Sequence, residues 1–208
     1  MRARDIMTSP VVTVTPGTTV KNAANLLASH GFTALPVLDS SGRLTGVVTE
    51  ADVVRDRFPR DPRHDVSEHD LPLVDGSGRE PASTVGEVMT APAVSASADT
   101  DVVDLVTEML KDPVRSMPIV DGSRLVGVVT RRDLVRVLAR DDQAIANDVR
   151  HQLDMYGAPY RWTVDVRDGA VAINDEFDNA TDRHVATVLA EAVRGVTTAT
   201  VASEPSAD

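Results

Sequence analysis

The chain has 208 residues, enough for two modest domains that each bury a core. Cysteine is absent and aromatic residues make up only 3%, so disulfides, thiol catalysis and cysteine-ligated metal sites are excluded and the core must be aliphatic. The formal net charge of −11 opposes binding to nucleic acids and to anionic lipid surfaces, and we expect neither partner.

Residues 1–6 include two arginines, but no apolar run follows them, so they do not resemble an export signal. No stretch of the chain approaches the ~20 apolar residues that a membrane span needs. We therefore expect a cytoplasmic protein that makes no membrane contact.

The first two thirds of the chain contain an internal repeat. Three segments recur later in the same order. The matched pairs are residues 7–12 and 89–94, 35–39 and 117–121, and 44–55 and 125–136. Such ordered recurrence indicates a duplication.

Each copy contains a predicted helix. In the first copy Thr18 can cap the helix and Gly31 can end it. Apolar residues at helical spacing form the expected buried face. They are Val20, Ala23, Ala24 and Leu27 in the first copy, and Val102, Leu105, Val106, Met109 and Leu110 in the second.

Two short apolar strands and a second helix follow in each copy. The predicted strands are residues 34–38 and 44–48, and 117–120 and 125–129, with a hairpin turn at 39–42. The second helices begin at Thr49 and Thr130, and the first of them is expected to turn Val53 and Val54 inward. One such unit cannot cover both faces of its small sheet, so we expect the copies to pack together.

Residues 57–84 between the copies are rich in Pro, Gly, Asp and Ser, which is typical of a connector. His64 and His69 lie there among acidic residues, a composition that suits a metal ion. A solvated charge run explains the same composition, and we predict no metal site.

From Asp141 the pattern changes to a helix, two strands, a helix and a last strand. The helical stripes are Ile145, Val149 and Leu153, and then Val185, Ala186, Val188, Leu189, Ala192 and Val193, ahead of Gly195. Strands are predicted at 162–166, around 171–173 and at 198–201, with Asp168-Gly169 as the hairpin turn. Trp162 is expected to anchor the core, the alternative being an exposed partner contact.

The repeated order of Met-Thr-x-Pro, helix, Pro-containing strand and Gly-Val-Val-Thr-x-x-Asp resembles the cystathionine-β-synthase-type (CBS) repeat, and a tandem pair resembles a Bateman module. The resemblance covers about residues 1–139. It implies an α+β fold of two βαββα-type repeats with two clefts, homodimerisation, and adenosine-containing ligands in many members. The predicted boundaries are 1–58 and 84–140 for the repeats and 59–83 for the connector.

The resemblance also implies which residues contact a ligand. Asp52 and Asp133 would bind ribose hydroxyls, because a carboxylate accepts from two neighbouring hydroxyls. Thr49 and Thr130 would contact the ribose or a phosphate. The other implied contacts are Thr33, Ala34, Pro36, Ser116 and Pro118 at the adenine edge, and Val11, Val12, Ala93 and Val94 around the base.

Thr-x-x-Asp at a helix start also forms a capping box, which stabilises the helix without a ligand, and the two roles are compatible. Arg115, Arg131 and Arg132 lie at the second cleft, whereas the matching places of the first hold uncharged residues and Glu50. Guanidinium groups near a helix N-terminus suit a phosphate, so the second cleft is expected to bind if only one does. A solvated helix face is the alternative explanation of these arginines.

The αββαβ order of residues 141–202, with Asp-Gly between the strands and Gly195-Val196 after the second helix, is similar to a BON domain. The resemblance implies binding of phospholipid or of a macromolecule. Residues 141–208 carry five arginines against 13 acidic residues, which disfavours anionic lipid and favours a protein partner. Asn174-Asp175 departs from the small-residue-plus-glycine pair of the family, and residues 203–208 are predicted to be a disordered tail.

These features predict a regulatory protein rather than an enzyme, since no Ser-His-acid motif and no glycine-rich dinucleotide fingerprint is present. The expected ligand is AMP, ADP, ATP or S-adenosylmethionine, with no cofactor required. The C-terminal domain would signal to an unknown protein partner. Two alternatives stay open: a ligand-free assembly module that dimerises, and a hydrolase or transferase using connector residues.

Overall fold

The computed structural model describes residues 1–55, 57–58, 82–111, 114–157, 161–177 and 179–203. The histidines and acidic residues of the connector lie outside the described residues. The chain forms two compact units: a repeat unit of Thr8–Ala98 and Thr107–Val128, and a C-terminal unit of Met1–Met7, Asp99–Val106 and Val129–Asp208. Within the described residues, no helix is long and apolar enough to cross a membrane.

The first repeat contains α1 (Ala3–Ile6), α2 (Val20–His30), β1 (Ala34–Leu38), β2 (Leu44–Thr49) and α3 (Glu50–Val54). β1 and β2 pair antiparallel across the predicted hairpin. α2 ends at Gly31, whose φ of 65° is the left-handed conformation that commonly ends a helix. Val14 adds a single parallel bridge to β1, in the place of a leading strand.

The second repeat contains α4 (Val85–Val88), β3 (Ala96–Ser97), α5 (Val102–Lys111), β4 (Ser116–Asp121), β5 (Arg124–Thr130) and α6 (Arg131–Leu138). The sheet has the order β3-β4-β5, and β3 runs parallel to β4. The predicted helices and strands are therefore present in both copies, and the leading strand is longer in the second.

The cap of α2 differs from its prediction. Thr19 begins the helix, and its hydroxyl accepts a hydrogen bond from the Asn22 amide at 3.2 Å. Thr18 was the predicted cap, but its hydroxyl instead accepts from the Thr15 amide at 3.1 Å and closes the preceding turn. Two adjacent threonines satisfy the same preference, so sequence alone could not choose between them.

Four residues expected on buried helix faces are exposed instead, one of which is Ala192, directly after the end of α8. Val54, Leu110 and Val188 are 50%, 69% and 52% exposed. Each lies one or two positions away from the stripe that its helix buries, as in α5, where Leu105 and Met109 are buried four residues apart. The prediction of an inward-facing Val54 was wrong because α3 is a single turn that buries Asp52 and Val53.

Each copy lends a segment to the other within the repeat unit. The amide and carbonyl of Thr8 bond to those of Val128 at 2.9 and 3.1 Å, and Thr90 bonds to Val47 in the same way at 2.9 and 3.0 Å. The Met-Thr segment of one copy therefore pairs with the last strand of the other. The hydrophobic core of the first repeat also contains a residue of the second, because Val85 of α4 is buried in it. Its other buried residues are Val14, Val20, Ala23, Leu27, Leu35, Val37, Val48 and Val53.

The C-terminal unit ends in the predicted αββαβ order. Its elements are α7 (Asp142–Tyr156), β6 (Trp162–Arg167), β7 (Ala170–Asp175), α8 (Ala180–Glu191) and β8 (Thr198–Ser203). The sheet order is β6-β7-β8, with an antiparallel hairpin followed by a parallel crossover through α8. Asp168 and Gly169 both have positive φ, as a type I′ hairpin turn requires.

Trp162 lies in the core of this last αββαβ segment and is 7% exposed, as predicted. It packs among buried residues of both helices and the sheet, including Leu153, Ile173 and Ala186. β8 extends to Ser203, two residues beyond its predicted end, while residues 204–208 lie outside the described ones.

Candidate functional site

The predicted ribose-binding pair of the first repeat forms a capping box at the start of α3. The Thr49 amide and hydroxyl donate to Oδ2 of Asp52 at 2.9 and 2.7 Å, and the Asp52 amide donates back to the Thr49 hydroxyl at 3.3 Å. The capping role inferred from the Thr-x-x-Asp spacing is therefore present.

The second repeat reproduces this geometry at the start of α6. Thr130 donates twice to Oδ2 of Asp133 at 2.9 and 2.7 Å, and the Asp133 amide donates to the Thr130 hydroxyl at 3.3 Å. Both aspartates are buried, with 8% exposure for Asp52 and 7% for Asp133. Two one-turn helix starts that agree this closely indicate that the duplicated segment keeps one local structure.

The capping box uses only one oxygen of each carboxylate, and the two repeats treat the other oxygen differently. Oδ1 of Asp133 accepts a hydrogen bond from the Arg136 guanidinium at 3.0 Å. Oδ1 of Asp52 lies 3.8 Å from the Arg55 guanidinium, which is too far for a hydrogen bond. Asp52 therefore keeps more acceptor capacity than Asp133.

The other predicted contacts of the first cleft surround the start of β1. Ala34 is paired in register with Thr49, and the Thr33 carbonyl accepts from the Glu50 amide at 3.2 Å, so both lie beside the N-terminus of α3. Pro36 is buried and its carbonyl accepts from Val14, while Val12 packs against the core and Val11 is half-buried. These backbone carbonyls already carry one bond each.

The predicted contacts of the second cleft fall in both compact units. The repeat unit contains half-buried Ala93, exposed Val94 and Arg115, and buried Ser116 and Pro118. The C-terminal unit contains half-buried Thr130, buried Asp133, and Arg131 and Arg132, both exposed on the first turn of α6.

Two contacts at these sites did not follow from the sequence analysis. The hydroxyls of Thr33 and Ser116 form a hydrogen bond of 2.8 Å, which brings the starts of β1 and β4 together. Arg55 and Arg136 face Asp52 and Asp133, respectively, from one helical turn away. An arginine three residues after each aspartate was the available signal, because this spacing places both on one helix face.

A buried charge cluster lies elsewhere, in the αββαβ segment. Arg161 donates to both carboxylate oxygens of Asp175 at 2.7 Å and to Asp182 at 2.7 Å, and lies over the rings of Trp162 and Phe177. Burial alone raises the pKa of Asp175, but hydrogen bonds from Arg161 and from the Phe177 amide outweigh it and hold the pKa below its ordinary 3.8. These contacts, the Arg161 cluster, connect Arg161 before β6 with Asp175 at the end of β7 and Asp182 at the start of α8. They stabilise the packing of these elements.

No group of three or more histidine and acidic side chains in the described ranges is arranged to hold a metal ion.

Comparison with known proteins places these repeats in a family. Residues 3–57 and 85–140 match the model of the CBS domain. The CBS domain-containing protein YhcV of Bacillus subtilis is 31% identical over 131 residues, which cover 63% of this chain and 81% of that protein.

Two solved structures have related CBS pairs. The pair of protein MJ0100, in complex with 5′-methylthioadenosine and S-adenosyl-L-methionine, has a TM-score of 0.51 at 25% identity and covers 66% of this chain and 94% of its own. CBSX2 from Arabidopsis thaliana, in complex with AMP, has a TM-score of 0.50 at 25% identity and covers 65% and 94%. The family match ends at residue 140. The chain belongs to the CBS domain family, with its two repeats in tandem as a Bateman module.

Proposed function

We propose that this protein is a non-catalytic sensor that binds an adenosine-containing ligand at the two Thr-Asp pairs. The observation that carries this proposal is the buried aspartate of each capping box, whose Oδ1 the cap leaves unused. A carboxylate oxygen beside a helix N-terminus can accept hydrogen bonds from adjacent ribose hydroxyls. The related pairs that bind AMP, and 5′-methylthioadenosine with S-adenosylmethionine, support the same ligand class.

The two pairs suit different ligands. Glu50 and the Oδ1 of Asp52, which Arg55 leaves without a hydrogen bond, favour an adenosyl ligand without phosphate in the first repeat, such as S-adenosylmethionine, whose sulfonium is cationic. Arg131 and Arg132 on the first turn of α6 favour a phosphate-bearing ligand in the second repeat, namely AMP, ADP or ATP. There the ribose must share Asp133 with Arg136.

The test is calorimetric titration of the full, nucleotide-stripped chain with AMP and with S-adenosylmethionine. We expect Asp52→Asn to weaken S-adenosylmethionine binding at least about 10-fold, and Asp133→Asn to do the same for AMP, since each change removes a charged acceptor. Glu87→Gln is the matched control, because Glu87 closes the capping box of α4 in the same manner without a proposed ligand role.

Binding that survives both aspartate changes would overturn this assignment of residues. No binding of either ligand at roughly 1 mM would overturn the sensor itself. Ligand recovered unchanged after long incubation is the expected result for a protein without catalysis, whereas turnover would favour the hydrolase or transferase alternative.

The second candidate function is a ligand-free assembly module that forms a homodimer. Exposed apolar side chains favour it: Val54 and Phe58 in the repeat unit, and Val103, Val135 and Leu138 in the C-terminal unit. If ligands fail to bind and a stable dimer persists, the assembly role is the function that remains.

We infer further that residues 141–202 act as a BON-like domain that docks a protein partner. The αββαβ order and the Asp-Gly hairpin support the resemblance. The excess of acidic residues supports a protein rather than anionic lipid as the partner. We expect the full chain to stay in solution when vesicles of phosphatidylglycerol and phosphatidylcholine are sedimented, as it does with phosphatidylcholine alone; selective sedimentation with the anionic vesicles would contradict this.

A further inference from the structure

A cavity of about 410 Å³ lies in the repeat unit, between the hairpin turns of the two repeats. Arg43 and Leu44 line it from the first repeat, and Ser95 and Ser123 from the second. Neither Thr49 nor Asp52 is among its lining residues. The cavity is thus a separate place from the first Thr-Asp pair.

Two arginines are paired beside this cavity, of which Arg43 is a lining residue. Arg43 and Arg124, which directly follows Ser123, form an isolated antiparallel bridge. Residues paired in this way across two strands project from the same face, with Cβ atoms about 5 Å apart. Like charges placed directly opposite one another are destabilising, so a bound anion would lower the repulsion between these two side chains.

The acidic neighbour of Arg43 neutralises only part of this charge. Asp39 accepts from the Arg43 side chain at Nε, 3.0 Å away, and from the amides of Ser41 and Arg43 at 2.8 and 2.9 Å. Hydrogen bonds from Arg43 hold the pKa of Asp39 below its ordinary value, so this carboxylate is charged at neutral pH. Asp121, beside Gly122 in the second turn, is a second carboxylate, so the two turns carry no net charge and the guanidinium groups of Arg43 and Arg124 act only locally.

Hydrogen-bond donors complete the cavity. Thr45 contributes none, because its hydroxyl donates to the Val37 carbonyl at 3.1 Å. In the part of the chain that the structure describes, no hydrogen bond is formed by the hydroxyls of Ser95 and Ser123 or by the terminal amino groups of Arg43. Guanidinium and hydroxyl donors around an open cavity suit the oxygens of a tetrahedral oxyanion.

We propose that this cavity binds a small phosphate-class oxyanion, with Arg43 and Arg124 supplying the charge and Ser95 and Ser123 donating hydrogen bonds. The anion would relieve the repulsion between the two arginines. The site goes beyond the adenosine-binding role of the Thr-Asp pairs, since neither pair lines it; Ala93 is the one lining residue that the sequence analysis assigned to an adenine contact.

The test follows backbone amide resonances of the ¹⁵N-labelled full chain during titration with inorganic phosphate, with sodium chloride keeping the ionic strength constant. We expect saturable shifts in residues 39–45 and 122–124, and at least about 10-fold weaker binding in the Arg43→Gln/Arg124→Gln double variant. Arg167→Gln is the control for loss of an exposed arginine away from the cavity; it removes one positive charge, whereas the double variant removes two.

Shifts confined to other residues, or equal binding by the double variant and by Arg167→Gln, would overturn the proposal. Sodium acetate separates phosphate from carboxylate as the ligand class, and equal binding of acetate would overturn the phosphate assignment. A thermal melt in phosphate provides a second readout, because the rise in Tm that phosphate causes should be lost in the double variant even if that variant is less stable.

Discussion

At the scale of single residues, the aspartates at the starts of α3 and α6 use one carboxylate oxygen for the capping box and keep the other outside it. Oδ2 completes the capping box in both repeats at the same distances. Oδ1 differs, since Arg136 occupies it in the second repeat and Arg55 stays 3.8 Å away in the first. The positions of these aspartates followed from the sequence, but the arginine geometry depends on side-chain rotamers that a spacing pattern does not fix.

Asp175 in the Arg161 cluster leads to a prediction about acid stability. Its folded pKa is below the ordinary 3.8, so its contribution to the free energy of unfolding is complete above that value and is lost as pH falls through the folded pKa. We expect Asp175→Asn to lower the free energy of unfolding at pH 7 by roughly 3 kcal/mol, because Arg161 loses its fully buried partner. Urea unfolding between pH 7 and pH 3 measures both effects.

The pH dependence supplies the internal check. The variant should lose less stability than the unchanged protein below about pH 4, since it no longer binds a proton at this position. Asp165→Asn is the control, because Asp165 is 66% exposed in its ion pair with Arg167 and should change stability by less than about 1 kcal/mol. Equal effects of the two substitutions would show that burial of the Arg161 cluster is unimportant.

At the scale of elements, the pairing of each Met-Thr segment with a strand of the other repeat leads to a prediction about stability. Gly46 of β2 lies against the Met-Thr segment of the second repeat. A Cβ at this position would come within 2.8 Å of the Met89 sulfur and 2.9 Å of the Thr90 carbonyl oxygen. We expect Gly46→Ala to lower the free energy of unfolding by about 1–3 kcal/mol, because Thr90 must move away from its two bonds with Val47. Urea unfolding at pH 7 is the measurement.

Gly17→Ala is the matched control for this change. Nothing lies within 4 Å of the position of its Cβ, so the stability should change by less than about 0.5 kcal/mol. If Gly46→Ala were as neutral as the control, the close approach of the two segments would be wrong.

Elements were predictable where several signals coincided. The hairpin at Asp168-Gly169 and the end of α2 at Gly31 followed from residues whose backbone preferences are strong. Val54 and Thr18 were not predictable, because a one-turn helix has no periodicity to read and two adjacent threonines compete for one cap. The Thr33-Ser116 contact joins residues of different copies, and local patterns carry no information about such pairs.

At the scale of the whole molecule, composition predicted classes of partner and the repeat predicted the family, but neither predicted the assembly state. The formal net charge of −11 argues against nucleic acids as partners of the chain. The repeat explains why two copies share one core, since Val85 of the second copy completes the core of the first. Association of two chains instead depends on which apolar side chains stay exposed after folding.

Helix α6 provides the test of that association. Val135 and Leu138 lie three residues apart and are 62% and 71% exposed, so they form an apolar strip on the outer face of the helix. We expect the unchanged chain, of 22.2 kDa, to have twice this mass by light scattering after size-exclusion chromatography. Val135→Asp should reduce it to one copy, because a dimer interface must desolvate the new carboxylate.

Val188→Asp controls for the charge itself, since Val188 is 52% exposed on α8, outside the repeats. This variant should keep the mass of the unchanged chain, so a selective effect at position 135 would identify α6 as part of the interface. A single-copy mass for the unchanged chain would remove the assembly role and leave ligand binding by one chain as the function. If both aspartate variants remain dimeric, the interface lies away from α6, and Val54 and Phe58 of the repeat unit become the next surface to change.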